Sequence, residues 1–209
     1  MTTTRLLLVR HGQTVWHDVN RYAGNRSDID LTPAGVDQAH LLARWAKAHP
    51  PHALVCSPVR RARETAQPAA DALGLQVEVD PALREVDFGV AEGHTLTELR
   101  DVDESMVQRF TDDPVASPFP GAEPPEDAAD RGAAALHRAA VAHPTGRVLV
   151  VAHNTLLRLA LCRLLDLPVA DYRRLFPRLD NGAVTEVDLP ADVTAPASLV
   201  RLNAPLDPT

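Results

Sequence analysis

Lysine is nearly missing from this chain: of 21 basic residues among 209, Lys47 is the single lysine and the other 20 are arginine. Cysteine is scarce too. Cys56 and Cys162 lie in apolar surroundings without a CxxC partner, which excludes a disulfide scaffold or a zinc ribbon and suits a reducing bacterial cytoplasm. Long apolar runs are absent, and none approaches the roughly 20 residues needed to cross a bilayer. The opening MTTTRLLLVRHG has no charged n-region leading into a long apolar stretch, so no signal peptide is expected. Net positive charge is missing as well. A formal charge of −7 argues against general binding to nucleic acid or to a membrane surface, both of which call for basic faces.

What is present is enough for one substantial domain spanning residues 1–209, with 45% hydrophobic and 23% charged residues. The arginine excess has two readings. One is the codon usage of a GC-rich genome. The other is that a few arginines grip phosphate or carboxylate, which a planar guanidinium holds in bidentate fashion. An acidic protein that binds an anion must concentrate positive charge locally, so position decides between them.

Arg5 to Val9 is a short continuous apolar run, the pattern of a strand buried on both faces, and it ends in Arg10-His11-Gly12. Thr32 and Pro33 predict a helix start, with Val36, Ala39, Leu42, Ala43 and Ala46 on one face and Pro50-Pro51 as the stop. Ala53 to Cys56 reads as a second strand. Ser57-Pro58 then repeats the cap-plus-proline device for a helix through Arg60 to Leu73, closed by Gly74. A third strand is expected over Leu75 to Val79. The most apolar strand, Arg147 to Ala152, runs into His153-Asn154 and a further helix. A last strand pair is expected near Ala183–Asp188 and Ser198–Leu202, followed by a loose tail from Asn203.

Strands alternating with helices of this length predict an α/β fold: a three-layer sandwich with a mostly parallel central sheet and helices on both faces. The segment from about 89 to 144 differs in texture. Helical stretches at Leu96 to Phe110 and Glu126 to Ala142 flank a proline-rich loop. It reads as a small helical and loop insertion forming a lid over the sheet.

In such sheets ligands sit beyond the carboxyl ends of the strands. Arg10 and His11 follow the first strand, Ser57, Arg60 and Arg61 the second, Glu85 the third, and His153 and Asn154 the fourth. Each alone has an ordinary reading: a solvated loop, a charged helix face, a salt-bridge partner, a helix cap. Together they place two histidines, two or three arginines and one carboxylate on one edge beside helix N-termini, a setting suited to a phosphate monoester.

The same residues resemble a known family. Leu8-Val9-Arg10-His11-Gly12-Gln13-Thr14 is similar to the RHG[E/Q]T signature of the histidine phosphatase superfamily, the phosphoglycerate mutase-like proteins. The likeness continues through Trp16, Asn20-Arg21, Gly24 and Asp30 to Gly35. It resumes at Ser57-Pro58-Val59-Arg60-Arg61-Ala62-Arg63-Glu64-Thr65-Ala66, at Leu83-Arg84-Glu85-Val86-Asp87-Phe88-Gly89 with Glu92-Gly93, and at Val150-Val151-Ala152-His153 with Arg158. The resemblance implies His11 as the nucleophile, Arg10, Arg61 and His153 as holders of the phosphoryl oxygens, with His153 also in the catalytic set, and Glu85 as general acid. Arg60 falls on a variable position and receives no role.

Three departures stand out. His17 replaces a common Asn, Asn154 replaces the glycine after the second histidine, and Gly121-Ala122-Glu123-Pro124 only partly resembles the family's GGES segment. His17, Ala23, Gly24 and Asn154 are candidate substrate contacts. In the lid, Arg100, Arg109 and Arg131 either meet a second anionic group or are solvated helix charges.

The expected activity is a phosphomonoesterase, acting on a sugar, cyclitol or glycerate phosphate through a phosphohistidine. The alternatives are a phosphoglycerate mutase and a catalytically weak phosphate-binding regulator. No cofactor and no metal is expected, since arginines occupy the place of Mg²⁺ and no HExxH or Cys–His cluster occurs. The expected partner is a small phosphorylated metabolite, with the chain a monomer or homodimer.

Overall fold

Strands covered on both faces have no polar side to show, and the apolar runs of this chain form the middle of a sheet accordingly. The computed structural model describes residues 3–192 and 195–206. Its strands are β1 (Thr3–Arg10), β2 (Ala53–Cys56), β3 (Val77–Val79), β4 (Arg147–Ala152), β5 (Val184–Pro190) and β6 (Ser198–Ala204), in the spatial order β3-β2-β4-β1-β5-β6. The first four are mutually parallel. β5 runs antiparallel to β1, and β6 antiparallel to β5. The helices are α1 (Pro33–Ala48), α2 (Arg60–Leu73), α3 (Leu96–Val102), α4 (Glu104–Asp112), α5 (Pro125–Ala142), α6 (Asn154–Leu164) and α7 (Tyr172–Leu175).

The two-residue period of the strands divides the core. Leu7, Val9, Leu54, Cys56, Leu149 and Val151 pack under α1 and α2. Leu6, Leu8, Val55, Val148 and Val150 pack with α5 and α6 on the opposite face. The expected α/β sandwich is therefore present. Among the described residues no helix is long and apolar enough to cross a membrane.

Local signals act largely as predicted. The Thr32 hydroxyl accepts from the Gly35 amide at 3.1 Å and starts α1, with Pro33 in the first turn. Gly74 closes α2 in the left-handed region at φ 68°. Four expectations need correction. Val36 is exposed, because Gly35 takes the inward place in that first turn. Ser57 does not cap α2: the cap position is Val59, with no side-chain bond, and the Ser57 hydroxyl accepts from the Val59 amide at 3.2 Å. The third strand begins at Val77, two residues later than expected.

The tail is the fourth case. Asn203 lies at φ 48° and exchanges two hydrogen bonds with Asp180, at 2.7 and 2.9 Å, and Leu206 is buried under α1 and α2. The tail is thus tied down as far as residue 206, and residues 207–209 lie outside the described part.

The segment 89–144 divides in two. α3, α4 and the proline-rich loop bring Leu99, Val107, Phe110 and Phe119 into the core shared with the sheet. α5 instead is a full layer of the sandwich beside α6, buried along Ala128, Ala129, Ala133, Leu136 and Ala140. Small side chains allow that approach: a Cβ on Gly132 would stand 3.0 Å from the Ala160 Cβ.

Two glycines join β1 to α1 at the sheet edge. A Cβ on Gly12 would come within 2.6 Å of the Gly35 carbonyl oxygen, and one on Gly35 still closer to that of Gln13. Gly35→Ala is expected to cost about 1–3 kcal/mol of stability by collision. Gly74→Ala meets no atom within 4 Å and is expected to cost only the left-handed backbone penalty of about 1 kcal/mol. Urea unfolding of the two variants checks both, and equal losses contradict the close-approach account.

Candidate active site

β1 delivers Arg10 and His11 to the sheet edge. The His11 amide donates to the Ala152 carbonyl at 3.0 Å, extending the β1–β4 pairing by one residue and carrying the imidazole into a buried position. His11 Nδ1 lies 2.8 Å from its neighbour's carbonyl, Gly12 O. A carbonyl only accepts, so Nδ1 carries the proton and Nε2 presents a lone pair. Arg61 Nε donates to that Nε2 at 3.2 Å. Burial first, then the charges of Arg61, His153 and Arg10, hold the His11 imidazole well below its ordinary pKa. The result is a neutral, oriented imidazole whose unprotonated nitrogen accepts from a cation.

Arg61 has no exposed surface. Its remaining donors reach the carbonyls of Ser27 (2.9 Å), Ala23 (3.0 Å) and Gly24 (2.9 Å). The loop after β1 therefore wraps the guanidinium. Ala23 and Gly24, expected as substrate contacts, act through their backbone on Arg61, although Ala23 also borders the cavity. A threonine locks the pair: the Thr65 hydroxyl accepts from the Gly12 amide at 2.9 Å and donates to the Arg61 carbonyl at 2.7 Å.

Arg10 donates from Nη1 to the Leu179 carbonyl at 2.8 Å and from Nη2 to His17 Nε2 at 2.5 Å, while its buried Nε has no partner. Burial lowers it to about 10, so it stays charged at neutral pH. Because arginine only donates, His17 Nε2 must be the acceptor, and Nδ1 lies 2.9 Å from both the amide nitrogen and the hydroxyl of Thr14. Burial and then Arg10 bring His17 down to about 4. His17 is thus a neutral acceptor that holds Arg10. Asn154 is also a tie: its Oδ1 accepts from the Leu179 amide at 3.0 Å, fixing the segment whose carbonyl fixes Arg10.

His153, fully buried, ends β4 and precedes the first turn of α6. Its Nε2 lies 2.7 Å from the Ser57 hydroxyl, its Nδ1 has no partner, and its ring centroid is 5.1 Å from that of His11. Burial, followed by Arg61 and Arg10, also holds this imidazole well below its ordinary pKa. Across the cavity the buried Glu85 carboxylate accepts from the amides of Val86 (2.9 Å), Leu156 (2.9 Å) and Thr155 (3.1 Å), the last two at the start of α6. Those bonds and Arg61 favour the charged form. Burial outweighs them, and the carboxyl pKa is raised.

The five residues read from the strand ends, Arg10, His11, Arg61, Glu85 and His153, therefore converge, and all but Arg61 and His153 directly line a cavity of about 640 Å³ with His17, Asn154 and Tyr22. Arg60 points away, into ion pairs with Asp30 and Glu64 at 2.5 and 2.7 Å. Asn181 is an addition: its Nδ2 donates to the His11 carbonyl at 2.7 Å and approaches His17 Nε2 at 3.3 Å. It escapes a search of strand ends because β5 is antiparallel to β1, so the beginning of β5 faces the catalytic edge. Among the described residues no group of three or more His, Cys, Asp or Glu side chains could hold a metal ion. Chemically the site offers a neutral imidazole nitrogen, two fixed guanidiniums, nitrogens of Arg10 and His153 without a protein partner, and a carboxyl biased toward holding a proton.

Comparison with known proteins agrees with this geometry. Residues 6–201 match the model of the histidine phosphatase superfamily (branch 1). A protein of Hydrogenobacter thermophilus provisionally named phosphoserine phosphatase 2 is 33% identical over 199 residues, 95% of each chain. A Yersinia pestis protein named probable phosphoglycerate mutase GpmB is 33% identical over 184 residues, covering 88% of this chain and 84% of the other. Among solved structures, the mycobacterial glucosyl-3-phosphoglycerate phosphatase superposes with a TM-score of 0.87 at 28% identity, over 97% of this chain and 99% of that one. The chain belongs to the histidine phosphatase superfamily.

Proposed function

We propose that the protein hydrolyses a small phosphorylated metabolite in two in-line displacements through a phosphohistidine on His11. The observation that carries this reading is the neutral His11, whose Nδ1 is bound to its neighbour's carbonyl and whose Nε2 faces Arg61. In the first displacement Nε2 attacks phosphorus as the ester P–O bond breaks, and Glu85 gives its proton to the leaving alkoxide. In the second, Glu85 takes a proton from water as water attacks phosphorus and the P–N bond breaks. Phosphate leaves, and both groups regain their starting forms. The transferring group spreads charge over its equatorial oxygens. Arg10 Nε and His153 Nδ1 have no partner within the protein, and in this reading they meet those oxygens. Arg61, with four of its five N–H groups engaged by His11 and three carbonyls, contributes through its field, its hold on His11 and at most one remaining N–H.

The phosphatase names among the relatives favour hydrolysis. The mutase reading has its own support in the Yersinia relative. It differs in product: isomerised phosphoglycerate with little free phosphate, sustained by a bisphosphate. A regulator without catalysis does not fit a site in which nucleophile, acid and donors are all present.

His11→Ala is expected to lower turnover of p-nitrophenyl phosphate and of alkyl phosphates at least about 10³-fold. Glu85→Gln is expected to slow alkyl esters far more than p-nitrophenyl phosphate, whose leaving group needs little protonation. Steady-state release of phosphate reads both, and equal losses in Glu85→Gln remove it from the acid role. The pH profile carries a further expectation. Glu85 starts protonated with a raised pKa, so kcat/KM for an alkyl phosphate falls as pH rises through that value. His11 works neutral with a pKa well below 6.5, so no loss from imidazolium appears as pH falls to 6.5. Glu85→Gln should erase the alkaline limb; its persistence contradicts the assignment.

A further inference from the structure

A second cavity adjoins the catalytic one. It measures about 190 Å³ and shares Tyr22, Phe88, Asn154 and Thr155 with its larger neighbour. That is too small for a whole substrate and suited to one end of it. Its far side carries the rings of Phe110, Phe119 and Tyr172 and two guanidiniums, Arg158 and Arg173.

Neither guanidinium has a carboxylate partner among the described residues. Arg158 is buried, donates from Nε to the Phe176 carbonyl, and stands 4.8 Å above the Tyr172 ring. Arg173 stands 4.7 Å above the Phe110 ring and donates from Nε to the Tyr172 hydroxyl at 3.1 Å. Each guanidinium stacks on an aromatic ring, Arg173 also meets the Tyr22 hydroxyl, and the remaining N–H groups have the geometry that grips an oxyacid in bidentate fashion. Glu123, the carboxylate on this wall, is already held by Arg131 through two bonds of 2.7 Å. Burial, and then the like charge of Arg173, pull Arg158 below its ordinary value, and Arg158 in turn acts on Arg10. Glu85 opposes that effect at both Arg10 and Arg158, and no carboxylate among the described residues is bonded to Arg158 or Arg173.

The lid arginines do not compete for this place. Arg131 is spent on Glu123 and on the carbonyls of Ala82 and Arg84, and Arg100 and Arg109 are exposed.

We propose that Arg158 and Arg173 form a second-anion subsite, which receives a carboxylate or second phosphate group borne by the same small phosphomonoester whose phosphoryl group meets His11. The aromatic walls would cover the carbon skeleton between the two charges. The inference rests on the phosphatase reading above and narrows its substrate class to doubly anionic monoesters.

The test is a length series of linear ω-phosphooxy carboxylates with two to six methylenes, each measured against its neutral methyl ester, with the matching α,ω-bisphosphates as a third arm. At one or two lengths the wild-type protein is expected to favour a charged terminus at least about tenfold in kcat/KM over the ester. The arm with the larger ratio distinguishes carboxylate from phosphate. In Arg173→Met that ratio is expected to collapse toward one, and Arg158→Lys, which keeps charge but loses the fork, to reduce it. A wild-type ratio near one at every length, or a ratio unchanged in Arg173→Met, overturns the subsite. Hydrolysis of p-nitrophenyl phosphate that depends on His11, measured alongside, separates that failure from a failure of the phosphatase reading itself.

Discussion

One buried charge organises this molecule. Arg61 has no exposed surface and, among the described residues, no carboxylate bonded to it, so its guanidinium is answered by three backbone carbonyls and by the nitrogen of His11. Taking a charge out of water is tolerable only where donors find acceptors in good geometry. The need for those carbonyls dictates the path of the loop after β1, and the field of the charge keeps His11 neutral. His11, loop and helix α2 are thereby coupled through a single side chain, with Thr65 closing the circuit from Gly12 back to the Arg61 carbonyl.

The rest of the site is arranged around that cation by sheet topology. Parallel strands β1, β2 and β4 end at one edge, and they bring Arg10 and His11, Ser57, and His153 there without any long-range motif. The start of α6 supplies two amides to Glu85, so the carboxyl is positioned by the helix that comes after His153. Ser57 and Asn181 serve as ties, one to His153 and one to the His11 backbone. The departures His17 and Asn154 prove to be ties as well, both converging on Arg10.

Much of this was legible in the residues. Continuous apolar runs mark strands covered on both faces, and the polar residues just past the end of each run include Arg10, His11, Glu85 and His153. The misses share a physical cause: they depend on partners distant in sequence. Val36 fits the helical period, but Gly35 must face Gln13, so the turn leaves Val36 outside. The proline-rich composition after Asn203 suggests a loose end, yet Asn203 and Asp180 lock together. α5 shares a segment with α3 and α4, but its alanine-rich face belongs to the sandwich. The backbone carbonyls of Ala23 and Gly24 hold Arg61, a role that the residue types do not announce. The near absence of lysine, ambiguous by itself, also gains definition. Among the described residues eleven of the twenty arginines form ion pairs with carboxylates, and Arg10, Arg61, Arg158 and Arg173 are among those outside such pairs.

The central claim is that His11 Nε2 takes the phosphoryl group. The most direct measurement is rapid quenching of Glu85→Gln during turnover of p-nitrophenyl phosphate, followed by mass spectrometry and phosphorus NMR under alkaline conditions that preserve phosphohistidine. The account predicts one acid-labile phosphate per chain, on Nε2 of His11. Phosphate on Nδ1, on another residue, or no phosphoenzyme during sustained turnover would contradict it.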